Sequence, residues 1–365
     1  MRTYFFIITS LNSGGIENYL LRFLKYINGD SRAIVICRSG EFGELHDKYI
    51  SLKNVEIFRF SLNDFNLFEY FRFYKLLKSY KPCSVCDFSG NFSANTLFVS
   101  FLAGIKIRIS FYRNSSNRFK ASFFKNLINY LLKYVTIFFS TRILLNSYAA
   151  IQFYFGKQGL KNSKLNVVYN GIDPEDFKDV LIDKRFRKEL NIKDSSFVIG
   201  HTGRFDPAKN HNLILNLAVI LKKQYGDKIC FVLVGKGTEK IIDLEIYKEN
   251  NLEATVFCVG YHSDIPKVLG SFNLYLFPSI TEGQPNALIE AMISGVPVVA
   301  SNIPSIKEII PQNNWPRLRD PNDIWGFVEE VSAAYINNDF VILKEWAENN
   351  FNYKKQFNIF LGELF

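Results

Sequence analysis

The chain has 365 residues, 48% of them apolar and 16% aromatic, and carries a formal charge of +9. Such a length suits two domains of about 150–200 residues, and the apolar content excludes a disordered or fibrous chain. Five cysteines, an odd number, exclude a disulfide-stapled scaffold, and four scattered histidines (His46, His201, His211, His262) offer no metal-ligand spacing.

In chain order, Tyr4–Ile8 reads as a first buried strand rather than a secretory leader, because no small-residue cleavage site follows it. Ser13-Gly14-Gly15-Ile16-Glu17 then joins this strand to a helix over 17–27, with Tyr19, Leu20, Phe23, Leu24 and Ile27 on one face. Gly14 and Gly15 let backbone N–H groups approach a ligand closely. Ala33–Cys37 is a second strand, 65–79 an aromatic-rich helix, and Ser84–Asp87 a short strand. Cys83 and Cys86 have the spacing of a redox or zinc half-site, but no second pair accompanies them, so both read as reduced structural thiols.

Residues 119–139 repeat apolar side chains at helical spacing, interrupted by Lys120, Lys125 and Lys133. The uncharged run is too short to span a membrane. A basic amphipathic helix on a bilayer and an ordinary core helix both fit. Charge bears on that choice. Residues 1–178 hold 24 Lys and Arg against 12 Asp and Glu, while the remainder holds 20 against 23. A basic N-terminal half suits an anionic membrane face, and solvated surface lysine is the plainer alternative.

Arg142–Asn146 and Leu165–Tyr169 continue the first sheet. Asn170-Gly171-Ile172-Asp173-Pro174 then breaks the pattern, and the boundary falls near residue 178. A second alternating set follows at Phe197–His201, Ile229–Gly235, Val256–Gly260, Leu274–Phe277 and Val298–Ala300. Strands alternating with helices imply two parallel sheets covered by helices. The sequence Asp320-Pro321-Asn322-Asp323 reads as a turn rather than a divalent-ion clamp, and no G-x-G-x-x-G fingerprint is present.

The most informative stretch runs from Glu282 to Ser301. Gly283, Gln284 and Pro285 suit a turn, Asn286 an N-cap, 287–294 a helix closed by Gly295, and 298–300 a buried strand. A helix start favours an anion, and carboxylates at Glu282 and Glu290 flank it. Such a site can hold a diphosphate while the two acids take hydroxyls on either side, which describes a nucleotide-sugar. Gly203-Arg204-Phe205-Asp206, with Lys209, follows a predicted strand. Arg204 offers a planar fork and Lys209 a point charge to phosphate.

Together these segments, with Val168–Asp173, Val234-Gly235-Lys236-Gly237 and Val259-Gly260-Tyr261, resemble the retaining glycosyltransferases of family 4, and among them those that extend bacterial surface polysaccharides on a lipid carrier. The resemblance implies the α/β GT-B fold: two Rossmann-like domains facing a cleft, over 1–178 and 179–345, with a C-terminal helix at 346–365 crossing back. It implies a UDP- or GDP-sugar donor and no cofactor or metal. Arg204 and Lys209 would bind the diphosphate, Glu290 the ribose, and Glu282 the donor sugar. The backbone of Gly283, Gln284, Pro285, Asn286, Ala287 and Leu288 would lie by sugar and phosphate. Gly203, Gly235, Val259, Gly260 and Tyr261 would border the nucleotide, and Gly14 and Gly15 would face the phosphates.

The implied acceptor is a lipid-linked, polyprenyl-diphosphate glycan, met at the cytoplasmic face of an anionic membrane; no nucleic-acid partner is implied. Glu17, Arg113 and Asn114 are acceptor-side candidates. Many relatives carry a histidine where this chain has Phe111 and Arg113. An epimerase of the same fold, or a non-catalytic nucleotide-sugar-binding partner, are the alternative readings.

Overall fold

The computed structural model describes residues 1–27, 29–62, 66–113, 123–178, 180 and 185–365, with side chains for all of these except 123–127. The chain forms two compact units. One is Met1–Asn170 with Lys354–Phe365, and the other is Gly171–Tyr353. Sequence placed the divisions at 178 and 345. Here Gly171 and Ile172 belong to the second unit because Ile172 pairs with the chain around Asn352: the Ile172 N–H donates to the Phe351 carbonyl, and the Tyr353 N–H to the Ile172 carbonyl, each at 2.9 Å.

The first unit holds a seven-stranded sheet of β1 (Arg2–Ile8), β2 (Ser31–Cys37), β3 (Val55–Arg59), β4 (Ser84–Asp87), β5 (Ile107–Tyr112), β6 (Arg142–Leu145) and β7 (Leu165–Val167), in the order β3-β2-β1-β4-β5-β6-β7. Every pair is parallel, with Ile7 beside both Ile36 and Asp87. Helices cover both faces of such a sheet, so its central strands run apolar without alternation. Four helices matter below: α1 (Gly15–Tyr26), α2 (Leu67–Tyr80), α3 (Ala94–Leu102) and α4 (Phe123–Phe139). Asn66 caps α2, its side chain accepting from the Glu69 N–H. Residues 119–122, where sequence begins the last of these helices, lie outside the described residues, as do Lys120 and the side chain of Lys125.

The second unit holds β8 (Phe197–Thr202), β9 (Ile229–Val234), β10 (Val256–Gly260), β11 (Leu274–Phe277) and β12 (Val298–Ala300), all parallel, in the order β10-β9-β8-β11-β12. Its core packs Ile214, Leu217 and Leu221 against Phe231, Leu233, Phe327 and Val331. In each sheet the order reverses once, between β1 and β4 and between β8 and β11. An open parallel sheet has its ligand crevice outside the carboxyl ends of the strands at that reversal.

The C-terminal helix expected over 346–365 is two helices, Lys344–Phe351 and Tyr353–Glu363, because Asn352 between them is extended (φ −58°, ψ 129°). In the first unit, Phe357 and Phe360 of the second helix enter a cluster of rings from α1 and β5. Phe360 lies 4.6 Å from Phe23 and 5.4 Å from Phe111, and Phe357 lies 5.4 Å from Tyr19. Aromatic residues therefore fasten the last segment to the first helix. Phe360→Ala should destabilise the protein by about 3–5 kcal/mol, read as a lower midpoint in denaturant unfolding; a change below about 1 kcal/mol would show that the helix is not fastened this way.

Candidate active site

The loops after β8 and β11, the two strands at the reversal, carry the charged residues that sequence singled out. After β8, Gly203 to Asn210 turns back on itself. Asp206 accepts the Ala208 N–H through its side chain at 2.9 Å, an Asp-Pro turn closed by its own side chain. Asn210 is left-handed (φ 57°), and its side-chain amide donates to the carbonyls of Pro278 (3.2 Å) and Pro321 (2.8 Å). The Ile280 N–H donates to the Ala208 carbonyl at 2.8 Å. The two loops are thus stitched together at two points, and Pro321 ties the first of them to a third segment.

That stitching sets Lys209 against Glu282. Nζ donates to Oε1 at 2.5 Å, both side chains are largely buried, and the ammonium also lies 5.2 Å from the centre of the Phe277 ring. Arg204, one turn earlier, is exposed, and its guanidinium has no hydrogen bond or ion pair among the described residues. Gly203 is needed for this path: a Cβ there would meet His201 Nε2 at 2.9 Å and the Lys209 side chain at 3.4 Å.

Beyond Glu282 the helix α5 (Asn286–Ile293) begins. Its N-cap is Pro285 rather than Asn286. The Pro285 carbonyl accepts from both the Leu288 and Ile289 N–H groups, so Asn286 already lies inside the helix. The helix ends one residue short of the expected Ser294, and Gly295, at φ 76°, closes it. Gly283, Gln284 and Pro285 are buried beneath the turn, and Glu290, half-buried, projects from the helix near the Tyr275 phenol. Tyr275 is buried and pairs with the Thr202 hydroxyl at 2.7 Å; burial first, then the charge of Glu290, raises its pKa.

The ends of β9 and β10 complete this rim. The Gly235 N–H donates to the Gly260 carbonyl at 2.7 Å, the Gly203 N–H to the Val234 carbonyl at 2.8 Å, and the Gly260 N–H to the Thr238 hydroxyl at 2.9 Å. Gly235 sits at φ 150°, where a Cβ would lie 2.1 Å from the Gly203 carbonyl oxygen. Tyr261 projects into solvent and Val259 is half-buried. One face of the second unit therefore gathers Gly203, Arg204, Lys209, Gly235, Gly260, Glu282 and the start of α5.

The other candidates belong to the first unit. Gly14 caps α1 with extended backbone, and a Cβ on Gly15 would meet nothing within 4 Å. The Glu17 carbonyl accepts the Tyr49 hydroxyl at 2.6 Å. Arg113, just past β5, turns inward. Its guanidinium lies 3.4 Å from the centre of the Tyr19 ring and bonds the Asn170 side chain, and burial lowers its pKa to about 10. Phe111 is fully buried in the aromatic cluster. Asn114 lies outside the described residues. Among the described residues no group of three or more His, Cys, Asp or Glu side chains gathers as a metal site.

Sequence reasoning gave no role to Asp206, Asn210, Tyr275 or the histidines under the site. The Asp-Pro pair at 206–207 was the available signal for the first. The histidine pair becomes visible only through the strand order. His201 Nδ1 donates to the Leu276 carbonyl at 2.9 Å, and the His201 and His211 rings meet edge to face at 5.1 Å.

Two family models match the chain. "Glycosyltransferase Family 4" covers residues 13–176, and "Glycosyl transferases group 1" covers residues 182–352. A capsular polysaccharide biosynthesis glycosyltransferase of Staphylococcus aureus, CapH, is 30% identical over 310 residues, which are 83% of this chain and 82% of that one. The chain belongs to the family 4 glycosyltransferases. A UDP-Gal:alpha-D-GlcNAc-diphosphoundecaprenol alpha-1,3-galactosyltransferase of Escherichia coli is 32% identical over 173 residues, 46% of this chain and 44% of its relative. The solved structure of Anabaena HepE in complex with UDP superimposes with a TM-score of 0.78 at 17% identity, covering 100% of this chain and 99% of that one. This glycosyltransferase accordingly has the GT-B fold, with two Rossmann-like parallel-sheet units.

Acid should expose the histidine pair. Burial first, then the neighbouring His211, lowers His201 to about 3; burial first, then the charge of Lys209, lowers His211 to about 4. An unfolded histidine binds its proton near pH 6.5. The stabilisation is therefore fully present above about pH 6.5 and is lost as pH falls toward about 4 for His211 and then about 3 for His201. Thermal melts across this window should show a steep fall that His211→Gln flattens; an equally steep fall in the variant would remove the histidine pair as its cause.

Proposed function

We propose that this glycosyltransferase moves a sugar from a UDP- or GDP-sugar to a lipid-linked oligosaccharide in bacterial surface-polysaccharide synthesis, with retention at the anomeric carbon and without a metal. The observation that carries the donor half is Lys209 fixed on Glu282 in the loop that leads into α5, with Arg204 exposed in the same β8 loop as Lys209. Sugar transfer breaks the bond from C1 to the phosphate oxygen and leaves negative charge on the β-phosphate. Fixed cations and N–H groups aimed at that oxygen lower the barrier without a metal.

In this reading Arg204 takes phosphate oxygens by its fork and Lys209 as a point charge. Glu282, anchored by Lys209, accepts from donor-sugar hydroxyls, and Glu290 from the ribose. The N–H groups at the start of α5 face the sugar and phosphate. Both carboxylates then orient rather than attack. The acceptor hydroxyl adds to C1 on the face the leaving group departs from, and its proton passes to the departing phosphate oxygen, so no enzyme nucleophile is required.

Support for a nucleotide donor comes from the UDP-bound structure of the same fold. Support for a lipid-linked acceptor comes from the Escherichia coli relative, named for a diphosphoundecaprenol-linked substrate, and for a capsular role from the Staphylococcus aureus relative. An acceptor of that kind places the enzyme at the cytoplasmic surface of the membrane. No helix among the described residues is long and apolar enough to cross it, so contact would be peripheral, through α4.

Arg204→Ala and Lys209→Ala should each lower kcat by about 10²–10³-fold while circular dichroism stays native; turnover close to that of the parent enzyme would reject the diphosphate role. Glu290→Ala should raise the donor KM at least about tenfold, the loss of a charge-assisted hydrogen bond or pair of bonds. Titrating the donor in steady-state assays checks this, and an unmoved KM would refute the ribose contact.

A further inference from the structure

Among the described residues, twenty-nine large apolar side chains stay exposed, and twelve of them lie on α2, α3 and α4. Soluble monomers rarely concentrate apolar surface in this way without a partner for it. The three helices are contiguous. α3 packs against both α2 and α4, with Phe98 and Phe101 meeting Phe139 at 5.0 and 5.5 Å, and the Asn95 amide donating to the Tyr70 hydroxyl.

Their charge is one-sided. Across α2, α3 and α4 the only acid is Glu69, and it is paired with Arg72 at 2.5 Å. α2 divides along its length. Leu67, Phe68 and Phe71 are exposed at its start, and Lys75 and Lys78 follow at helical spacing, their ammoniums 4.6 and 5.8 Å from the Phe71 and Tyr74 ring centres. On α4, by contrast, Lys133 is not available to an outside anion in the same way. Its ammonium turns back to the Tyr154 carbonyl at 2.5 Å and lies over the Phe155 ring.

We propose that α2, together with α3 and α4, forms a single docking face for an anionic bilayer, with Phe68 and Phe71 entering the acyl boundary and Lys75 and Lys78 at the level of the lipid phosphates. This deepens the membrane contact in the proposed function, where α4 alone was invoked, and rests on that reading. The chemistry selects lipid over a protein. Lysines with apolar stems laid on aromatic rings reach outward to a headgroup plane, whereas the cores of protein interfaces are depleted of lysine. The exposed aromatic residues supply the apolar term, and Lys75 and Lys78, which have no ion pair among the described residues, supply the preference for negative headgroups.

Sedimentation of the full chain with vesicles tests this, using phosphatidylcholine alone and phosphatidylcholine mixed equally with phosphatidylglycerol. The parent protein should prefer the mixed vesicles. Phe68→Ser with Phe71→Ser should weaken partition about tenfold or more. Lys75→Glu with Lys78→Glu should weaken it by a similar factor on the mixed vesicles only, an effect that high salt erases. All four side chains are exposed, and thermal stabilisation by UDP or GDP, which reports the donor site, should match the parent. If both α2 variants partition like the parent while Leu131→Ser with Phe138→Ser on α4 detaches, docking is by one helix and the three-helix face is wrong, with the proposed function untouched. If no vesicle binds and the α2 variants instead dissociate a dimer seen by light scattering, the face belongs to a second copy and the proposal falls.

Discussion

The contact on which the proposed donor site depends is the short ion pair between Lys209 and Glu282. As a source of stability it counts for little. Its two side chains retain only 19% and 11% of their exposure, so their mutual attraction is set against the cost of taking both from water. Its value is positional. A lysine on a four-carbon stem otherwise samples many rotamers, and a point charge that wanders cannot favour one oxygen over another. The carboxylate removes that freedom, and two hydrogen bonds between the β8 and β11 loops hold the carboxylate in turn.

The same economy explains the glycines around it. Gly203 and Gly235 bring the β8 and β9 turns close enough that a single Cβ would collide with the facing backbone or with His201 and the Lys209 stem. What the glycines leave open on that rim is backbone, flanked by the exposed side chains of Arg204, Lys236 and Tyr261. A rim of that kind meets an elongated polar ligand along its length. Beneath it, His201, His211 and Tyr275 are buried and uncharged. In the proposed reading, a phosphate at this rim meets Lys209 and Arg204 with uncharged groups beneath them.

Much of this was legible in the sequence, for a physical reason. Strands of parallel sheets covered on both faces carry short apolar runs, and the bounds expected for β4, β10, β11 and β12 match the structure to the residue. β3 (Val55–Arg59) and β5 (Ile107–Tyr112) were not read as strands. Each mixes charged residues into a short run, and each is identified only by pairing with β2 or β4. The Glu282–Glu290 spacing, Arg204 and Lys209 could be picked out locally because turn and helix signals flank them. The N-cap could not. Choosing Asn286 over Pro285 follows side-chain preference, whereas the observed cap is set by which carbonyl accepts the Leu288 and Ile289 N–H groups. Asn210, Tyr275 and the histidine pair act across neighbouring strands. Their roles depend on β8 lying beside β11, which no local pattern encodes.

The two units share an architecture but handle charge in opposite ways. The second, acidic in sequence with 19 Lys and Arg against 25 Asp and Glu over 171–353, sets Arg204 and Lys209 near a helix start, with an acid bound directly to one of the cations. A fixed anion such as a diphosphate needs no more than that, and a wider positive field would draw competing polyanions. In the first unit the excess positive charge is spread over many lysines and arginines, and three of them, Arg72, Lys75 and Lys78, lie on the helix that exposes Phe68 and Phe71. Diffuse positive charge interleaved with apolar rings is a poor way to grip one small ligand and a good way to rest on an extended anionic surface. The division of charge along the chain therefore fits the proposed function, in which the donor comes from water and the acceptor from a lipid.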